Sequence, residues 1–365
     1  MINGDFMFRV FIVLIIIFLV LMILYNINKI RKLSIIQKIN NRFAQIIVSM
    51  IPFAILFILF NYVNLLVILI HLFIFFNISN LIHFIIEKIT HKKINTSYFT
   101  VIAIIITSLY LGIGAYLDYH VFETRYKIET DKELGTENFR IIQISDSHVG
   151  ATFDGNGFYE HMKKISQIDS DLLVITGDFV DDDTTREDMI KSCEALALAK
   201  PKYGIYFIYG NHDKGYFNYR NFTDQELRSE LRKYDVHILN DEVYEINEFI
   251  YLIGRNDKTD KNRKSIQELT SNLNKEKYII DLNHQPNDYQ NEKGNVDLVL
   301  SGHTHGGQLF PLGYIGLLTG ANDEFYGLHK RDKTYFIVNS GISDWAIDFK
   351  TGTKSEYVII DIQGK

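Results

Sequence analysis

Four apolar runs in the first 120 residues constrain this chain more than anything that follows them. "FMFRVFIVLIIIFLVLMILY" (6–25) is twenty residues with one charge, Arg9, near one end. That meets the length a helix needs to cross the hydrocarbon of a bilayer. A signal peptide would have a shorter apolar region and a small-residue cleavage site after it. Here the chain continues "NINKIRKLSIIQK", so the run reads as an uncleaved span. The apolar stretch 43–86 is too long for one crossing, because its 44 residues would run to roughly 66 Å as a helix, about twice the hydrocarbon thickness. Splitting it at "NYVN" (61–64) gives a tight hairpin of two spans, 43–60 and 65–86. "YFTVIAIIITSLYLGIGAYL" (98–117) is a fourth span, which completes a four-helix transmembrane unit over 1–117.

The short loops set an orientation. The 26–42 loop carries Lys29, Arg31, Lys32, Lys38 and Arg42, and the 87–97 loop carries Lys88, Lys92 and Lys93, whereas the 61–64 turn has no basic residue. Basic short loops stay in the cytoplasm. With four spans, both the N-terminus and everything after residue 117 are then expected on the extracytoplasmic side of the cell membrane. His71 and His83 lie inside the third span, where an ionisable group is a functional candidate by default. No acidic residue lies in these apolar stretches, so helix–helix hydrogen bonding is their expected use.

Composition changes sharply at about residue 120. Residues 1–120 carry nine Lys/Arg and three Asp/Glu, net +6, and the remainder carries 29 and 41, net −12. An acidic domain lacks the basic stripe that neutralises nucleic-acid phosphates, so no nucleic-acid partner is expected. A small phosphate ester held by metal remains compatible with that charge. The single cysteine, Cys193, excludes an intrachain disulfide. It sits in a helical pattern, "TTREDMIKSCEALALAK" (184–200), on one face with Met189 and Leu196, and reads as a buried structural thiol. Thr184 and Glu187 have the spacing of a capping box at its start.

After a charged connector (118–135), a soluble domain (136–365) shows short Val/Ile/Leu/Tyr runs that end in polar loops. "FRIIQIS" (139–145) leads into "DSHVG", "DLLVIT" (171–176) into "GDFVDD", "GIYFIY" (204–209) into "GNHD", and "VDLVLS" (296–301) into "GHTHGG". "TYFIVNSG" (334–341) and "EYVIIDI" (356–362) are further strands, and "GFYEHMKKISQI" (157–168) is one of several helical patterns between them. Near-continuous apolar runs are the mark of strands covered on both faces, so an α/β architecture follows.

Ligands of open α/β sheets bind at the carboxyl ends of strands. Asp146, His148, Asp178, Asn211, His212, His303 and His305 all stand just past such ends and are expected to converge on one rim. The set contains no thiolate, which excludes a Cys-type structural zinc site. Carboxylate, imidazole and amide oxygen suit divalent Mn, Fe or Zn. The donors are too many for one ion and suit two ions sharing a carboxylate, about 3.5–4 Å apart, as used in phosphoester displacement.

The ordered motifs "DSH", "GDFVD", "GNHD", the isolated His of "NHQP" and "GHTH" resemble the calcineurin-like metallophosphoesterases over about 139–365. The apolar third and "GISDWAIDFKTGTKSEY" (341–357) look like the multi-spanning bacterial members and the animal transmembrane phosphoesterases. That resemblance implies a β-sandwich flanked by helices. It implies that Asp146, His148 and His305 bind one metal, that Asn211, His284 and His303 bind a second, and that Asp178 bridges them. It further implies a hydroxide between the metals that attacks phosphorus. His212 would stabilise or protonate the leaving oxygen, with Asp213 orienting its ring. Two histidines one residue apart, His303 and His305, would thus serve different metals. Where some soluble relatives have a "PPE"-type sequence, this chain reads "TKSE" (353–356), and the substrate class stays open.

The remaining residues divide into neighbours and bystanders. Asp181 is either a partner of the ligands or a helix cap. Asp182 and Asp183 are expected to be solvated. His161, His237 and His329 are expected at the surface or in the core, and His120 at the membrane interface. Tyr206, Phe207 and Tyr209 are expected in the core, Gln308 in the substrate pocket, and Trp345 as an interface anchor. The expected function is a membrane-anchored, two-metal phosphoesterase acting on a lipid-linked or nucleotide-linked substrate. The alternative is a membrane sensor or partner-binding module with a regulated phosphoesterase output.

Overall fold

Each apolar run becomes a helix. A computed structural model describes residues 4–216 and 220–364, which divide into two units, Met1–Ile113 and Gly114–Lys365. The first contains α1 (Gly4–Arg31), α2 (Ser34–Gln37), α3 (Arg42–Leu59), α4 (Tyr62–Thr90) and most of α5 (Thr96–Tyr119). Four of these, α1, α3, α4 and α5, are long and apolar enough to cross a membrane. The long apolar stretch breaks between α3 and α4 because Asn61 is an N-cap, its side chain accepting from the Asn64 backbone N–H.

The two histidines of α4 differ from expectation. His71 Nδ1 lies 2.8 Å from the carbonyl of Val67 in its own helix, so it makes no interhelical bond there. His83 does have an acidic neighbour: its Nε2 is 3.2 Å from Glu87, one turn on, and 3.0 Å from the Ile94 carbonyl. Asn26 makes a bond between helices instead, donating to the Leu69 carbonyl at 3.0 Å.

The second unit opens with β1 (Phe122–Glu129), β2 (Asn138–Ile144), α6 (Gly155–Ile165), β3 (Leu172–Thr176), α7 (Arg186–Leu196), β4 (Ile205–Ile208), α8 (Asp224–Lys233), β5 (Val236–Ile238) and β6 (Glu242–Asn247). It continues with β7 (Ile250–Gly254), α9 (Ile266–Thr270), β8 (Tyr278–Leu282), α10 (Tyr289–Glu292), β9 (Leu298–Ser301), α11 (Leu312–Thr319), β10 (Gly327–Arg331), β11 (Thr334–Val338) and β12 (Glu356–Gln363). These strands form two mixed six-stranded sheets, ordered β1-β12-β2-β3-β4-β5 and β10-β11-β9-β8-β7-β6. β1 lies inside the stretch read as a charged connector. Its sequence, "FETRYKIE", alternates exposed polar and partly buried side chains, as an edge strand does.

Strand alternation builds a sandwich with three apolar layers. Phe139, Ile141, Leu172, Val174, Tyr206 and Ile208 point between the sheets, where they meet Leu252, Ile280, Leu282, Leu298 and Leu300. Their neighbours Ile142, Ile144, Leu173, Ile175 and Phe207 point outwards, under Phe158 and Met162 of α6, Met189 and Cys193 of α7, and Leu227 and Leu231 of α8. α9 and α10 cover the other sheet through Ile266, Leu269 and Tyr289. Every one of these strands is covered on both faces, which is why they read as unbroken apolar runs. The cap of α7 is one residue later than expected. Thr185 accepts from the Asp188 N–H, while Thr184 is occupied in a turn with Asp181.

Ile360 lies at the middle of the between-sheet layer, on a strand paired on both sides. Ile360→Ala should lower unfolding stability by about 2–5 kcal/mol. Denaturant unfolding of the detergent-solubilised chain measures this, and a loss below about 0.5 kcal/mol would contradict the layer assignment.

Candidate metal centre

Five strands deliver the candidate residues to one end of the sandwich. β2 runs out into Asp146 and His148, β3 into Asp178, β4 into Asn211 and His212, β8 into His284, and β9 into His303 and His305. β2, β3 and β4 are parallel, as are β8 and β9, so each set of loops emerges on one edge.

Six of these residues form two groups, Asp146–His148–His305 and Asp178–His284–His303, with one ligand atom from each residue within 4.8 Å of the others in its group. Asp178 touches both groups: its Oδ2 is 3.2 Å from His284 Nε2 and 3.7 Å from His148 Nε2. Asn211 joins the second group, with Oδ1 3.2 Å from His284 Nε2, while its amide donates to the Tyr216 hydroxyl at 2.7 Å.

Three imidazoles are tied down through Nδ1. His148 Nδ1 faces Asp181 at 3.2 Å, His284 Nδ1 faces the Thr176 carbonyl at 2.8 Å, and His305 Nδ1 faces Asp344 at 2.5 Å. Each ring therefore turns Nε2 towards the centre, the arrangement that fixes a metal ligand's tautomer. His148 Nε2 is buried with no hydrogen-bond partner among the described residues. A buried ring nitrogen without a hydrogen-bond partner beside two carboxylates, in a donor set without thiolate, fits a divalent cation.

The backbone is held in unusual shapes here. Asp146, His148, Asp178, His303 and His305 have φ of 51°, 34°, 51°, 72° and 47°. Left-handed φ at a non-glycine residue costs on the order of 1–3 kcal/mol and persists only when the surroundings impose it. The imposing contacts are visible. Asp146 accepts from the His303 N–H through both oxygens at 3.0 Å. Gly177 has φ of +90°, and a Cβ there would stand 2.6 Å from Gly210 N and from His284 Nδ1. Only glycine lets these loops pass so closely.

Asp213 departs from its expected role. Its carboxylate accepts from the N–H groups of Gly210, Asp178, Phe179 and Val180 at 2.7–3.1 Å. It braces the loop that carries Asp178 and does not orient the His212 ring. That ring is half-buried, with centroids 5.0 Å from His148 and 5.6 Å from Trp345. The His212 N–H donates to Asp178 Oδ1 at 2.8 Å. The Gln308 amide donates to the carbonyls of Ile347 and Phe349 at 3.1 Å. Of the two roles expected of Asp181, it takes the first, facing His148; the helix cap is Thr185, and Asp181 accepts from the Asp183 and Thr184 N–H groups in the turn before it.

Asp344 and Lys350 also belong to the site, from the 341–357 stretch that carries no ligand spacing. Lys350 is fully buried, and its ammonium donates to the Ser340 carbonyl at 2.7 Å and to Ser355 Oγ at 3.2 Å. It stands 3.5 Å from Asp344, the carboxylate that holds His305. Both come from one loop whose sequence has no ligand spacing.

Charge balance follows from these contacts. Burial opposes ionisation of Asp178, but the imidazoles of His284, His148 and His212 hold its carboxyl well below the usual range. Burial likewise disfavours charge on His148 and His284, yet the surrounding aspartates push them up to about 9 and about 10. Burial pushes His303 and His305 down to about 3. In the metal-free centre, the buried carboxylates thus favour a proton on His148 and on His284. The stability these protons add is complete below the free imidazole pKa of about 6.5. It fades as pH rises through 9 to 10.

Comparison with known proteins places this geometry. The calcineurin-like phosphoesterase family model matches residues 139–307. The chain is 32% identical over 264 residues to an uncharacterised metallophosphoesterase of Aquifex aeolicus, covering 70% of this chain and 97% of that protein. It is 28% identical over 276 residues to a transmembrane protein with metallophosphoesterase domain of Danio rerio, covering 70% and 61%. Among solved structures, a dimetal phosphatase from Danio rerio is similar more loosely, with a TM-score of 0.36 and 10% identity over 56% of this chain and 87% of that one.

A cation entering this centre must displace the protons on His148 and His284. Titrating metal-free chain with Mn²⁺ at pH 7 should release about two protons per chain. Calorimetry in buffers of different ionisation enthalpy counts them. Binding without proton release would show that the imidazoles are already neutral.

Proposed function

The chain belongs to the calcineurin-like phosphoesterase family, and from that premise we propose that it is a membrane-anchored phosphoesterase working through two divalent cations. The observation that carries this reading is the pair of three-residue groups with Asp178 between them.

In this reading Asp146, His148 and His305 hold one cation, Asn211, His284 and His303 hold the other, and Asp178 bridges. Mn, Fe or Zn suits such imidazole, carboxylate and amide donors. When bound, the cations supply activation of a water nucleophile and neutralisation of developing phosphoryl charge. The protein's own share is orientation. Asp181, the Thr176 carbonyl and Asp344 keep the three rings aimed inward, and Asp213 fixes the backbone beneath Asp178. His212 stands outside both groups at the rim. Burial lowers its pKa, with Asp178 opposing. An imidazole placed there is the group that would pass a proton to the leaving oxygen.

The substrate is a phosphoester, and a lipid-linked or nucleotide-linked one is favoured because the chain carries its own membrane anchor. The domain's net charge of −12 beyond residue 120 gives no support to a nucleic-acid partner. The bias of basic residues towards the 26–42 and 87–97 loops supports an extracytoplasmic domain at the cell membrane.

Two experiments test this. The full chain in detergent with Mn²⁺ should hydrolyse p-nitrophenyl phosphate or bis(p-nitrophenyl) phosphate. Asp178→Asn should lower that rate at least about a hundredfold, more than loss of a ligand's supporting partner does. His212→Ala should lower turnover of an alkyl phosphoester by about 10²–10⁴ and that of the p-nitrophenyl ester much less, since p-nitrophenolate leaves without a proton. Full activity in Asp178→Asn would remove the two-cation reading. For topology, protease added to intact cells should digest the domain beyond residue 120. A protected domain would place it in the cytoplasm.

A further inference from the structure

The soluble unit carries an apolar surface that neither the sandwich nor the metal centre uses. It follows directly after the second "GHTH" histidine: residues 306–322 contain no Asp, Glu, Lys or Arg. Within them Phe310 is 59% exposed, and α11 exposes Leu312, Tyr314, Ile315 and, at 87%, Leu318. Among the described residues from 120 onwards, nine large hydrophobic side chains are exposed. These five and Trp345 make six of the nine. Soluble domains rarely concentrate exposed apolar groups in this way without something to cover them.

The place of the patch says what covers it. The Gln308 carbonyl accepts from the N–H groups of Thr351 and Gly352, at 2.9 and 3.1 Å. The Phe310 N–H donates to Thr351 Oγ1 at 3.1 Å. The same short loop bonds the last turns of α5: Lys350 N–H donates to the Gly114 carbonyl at 3.0 Å, and Ser355 N–H to the Leu117 carbonyl at 2.8 Å. The base of the apolar segment and the end of the fourth apolar helix are therefore pinned to one stretch, 350–355. Around that helix end, Tyr116 stacks on His120 at 5.2 Å, His120 meets Phe122 at 4.5 Å, and Tyr119 is exposed. Aromatic clusters of this kind mark the level where a span leaves the bilayer.

We propose that Phe310 and the exposed face of α11 seat in the interface of the bilayer that anchors the chain, so that the metal centre opens at headgroup level and takes a membrane lipid phosphoester. The substrate half of this statement rests on the phosphoesterase reading above. The seating half rests on the surface alone. Five side chains are few for a free protein to hold a membrane. Here the anchor makes the contact intramolecular, so a small patch suffices. Trp345 stands two residues before Ile347, whose carbonyl holds Gln308, and its ring also faces His212.

The only cysteine, Cys193, is buried, so a single added thiol can be labelled in the full chain. Leu318→Cys carrying an environment-sensitive dye would be placed in nanodiscs of phosphatidylethanolamine and phosphatidylglycerol. Lys163→Cys, on an exposed helix position, is the control. The proposal expects several-fold stronger quenching of the 318 label by lipid-borne nitroxide than of the control, with protection from aqueous iodide. Iodide quenching equal to the control would overturn it. Protection from both quenchers would also overturn it, by showing that protein covers the patch. In the same nanodiscs, Ile315→Asp with Leu318→Asp should lower turnover of a bilayer phospholipid at least tenfold and leave p-nitrophenyl ester turnover unchanged. Unchanged phospholipid turnover would overturn the substrate half. A chain that seats the label in lipid yet hydrolyses no ester at all would keep the surface and remove the phosphoesterase reading.

Discussion

A single buried carboxylate, Asp178, lies between imidazoles contributed by two different sheets, with His148 on one side and His284 on the other. Negative charge at such depth is costly unless it is paired. The surrounding architecture answers that cost. His148 and His284 lean on it, the His212 N–H donates to it, and Asp213 fixes the backbone on which it stands. The sandwich matters because it brings the edges of two parallel strand sets within reach of one carboxylate. Neither sheet alone holds a complete group: Asp146 and His148 follow β2 while His305 follows β9, and Asp178 follows β3 while His284 and His303 follow β8 and β9.

Around the centre, strain and support are matched. Five residues there adopt left-handed φ without being glycine, and the backbone N–H groups of Asp178 and His303 and the carboxylate of Asp146 are tied by hydrogen bonds. Asp344, itself held near Lys350, extends this support to the end of α5 through the loop that also fixes Phe310. Positioning of His305 and anchoring of the apolar segment thus draw on the same twelve-residue stretch, 344–355.

Much of this was legible in the sequence, for identifiable reasons. The four apolar runs were plain because spanning a bilayer demands length and lack of charge at once. The strand-end aspartates, asparagine and histidines were plain because buried parallel strands read as unbroken apolar runs and their loops carry the polar residues. What sequence could not show is tertiary. β1 looked like a connector because an edge strand needs only half its side chains covered. Asp213 looked like a partner of its neighbour His212, but its carboxylate turns to four backbone N–H groups. Asp344 and Lys350 had no spacing to mark them, since their role exists only once 341–357 folds against His305. The α7 cap slipped by one residue because Thr184 and Thr185 compete for it, and Asp181 claims the first.

If the two groups act as one dinuclear site, Asp178 is shared between both ions. Electron paramagnetic resonance of the full chain loaded with Mn²⁺ tests it directly. Ions held about 3.5–4 Å apart should give the broad spectrum of an exchange-coupled pair, and Asp178→Asn should abolish the coupling. A six-line signal from isolated Mn²⁺ at full occupancy would contradict the account.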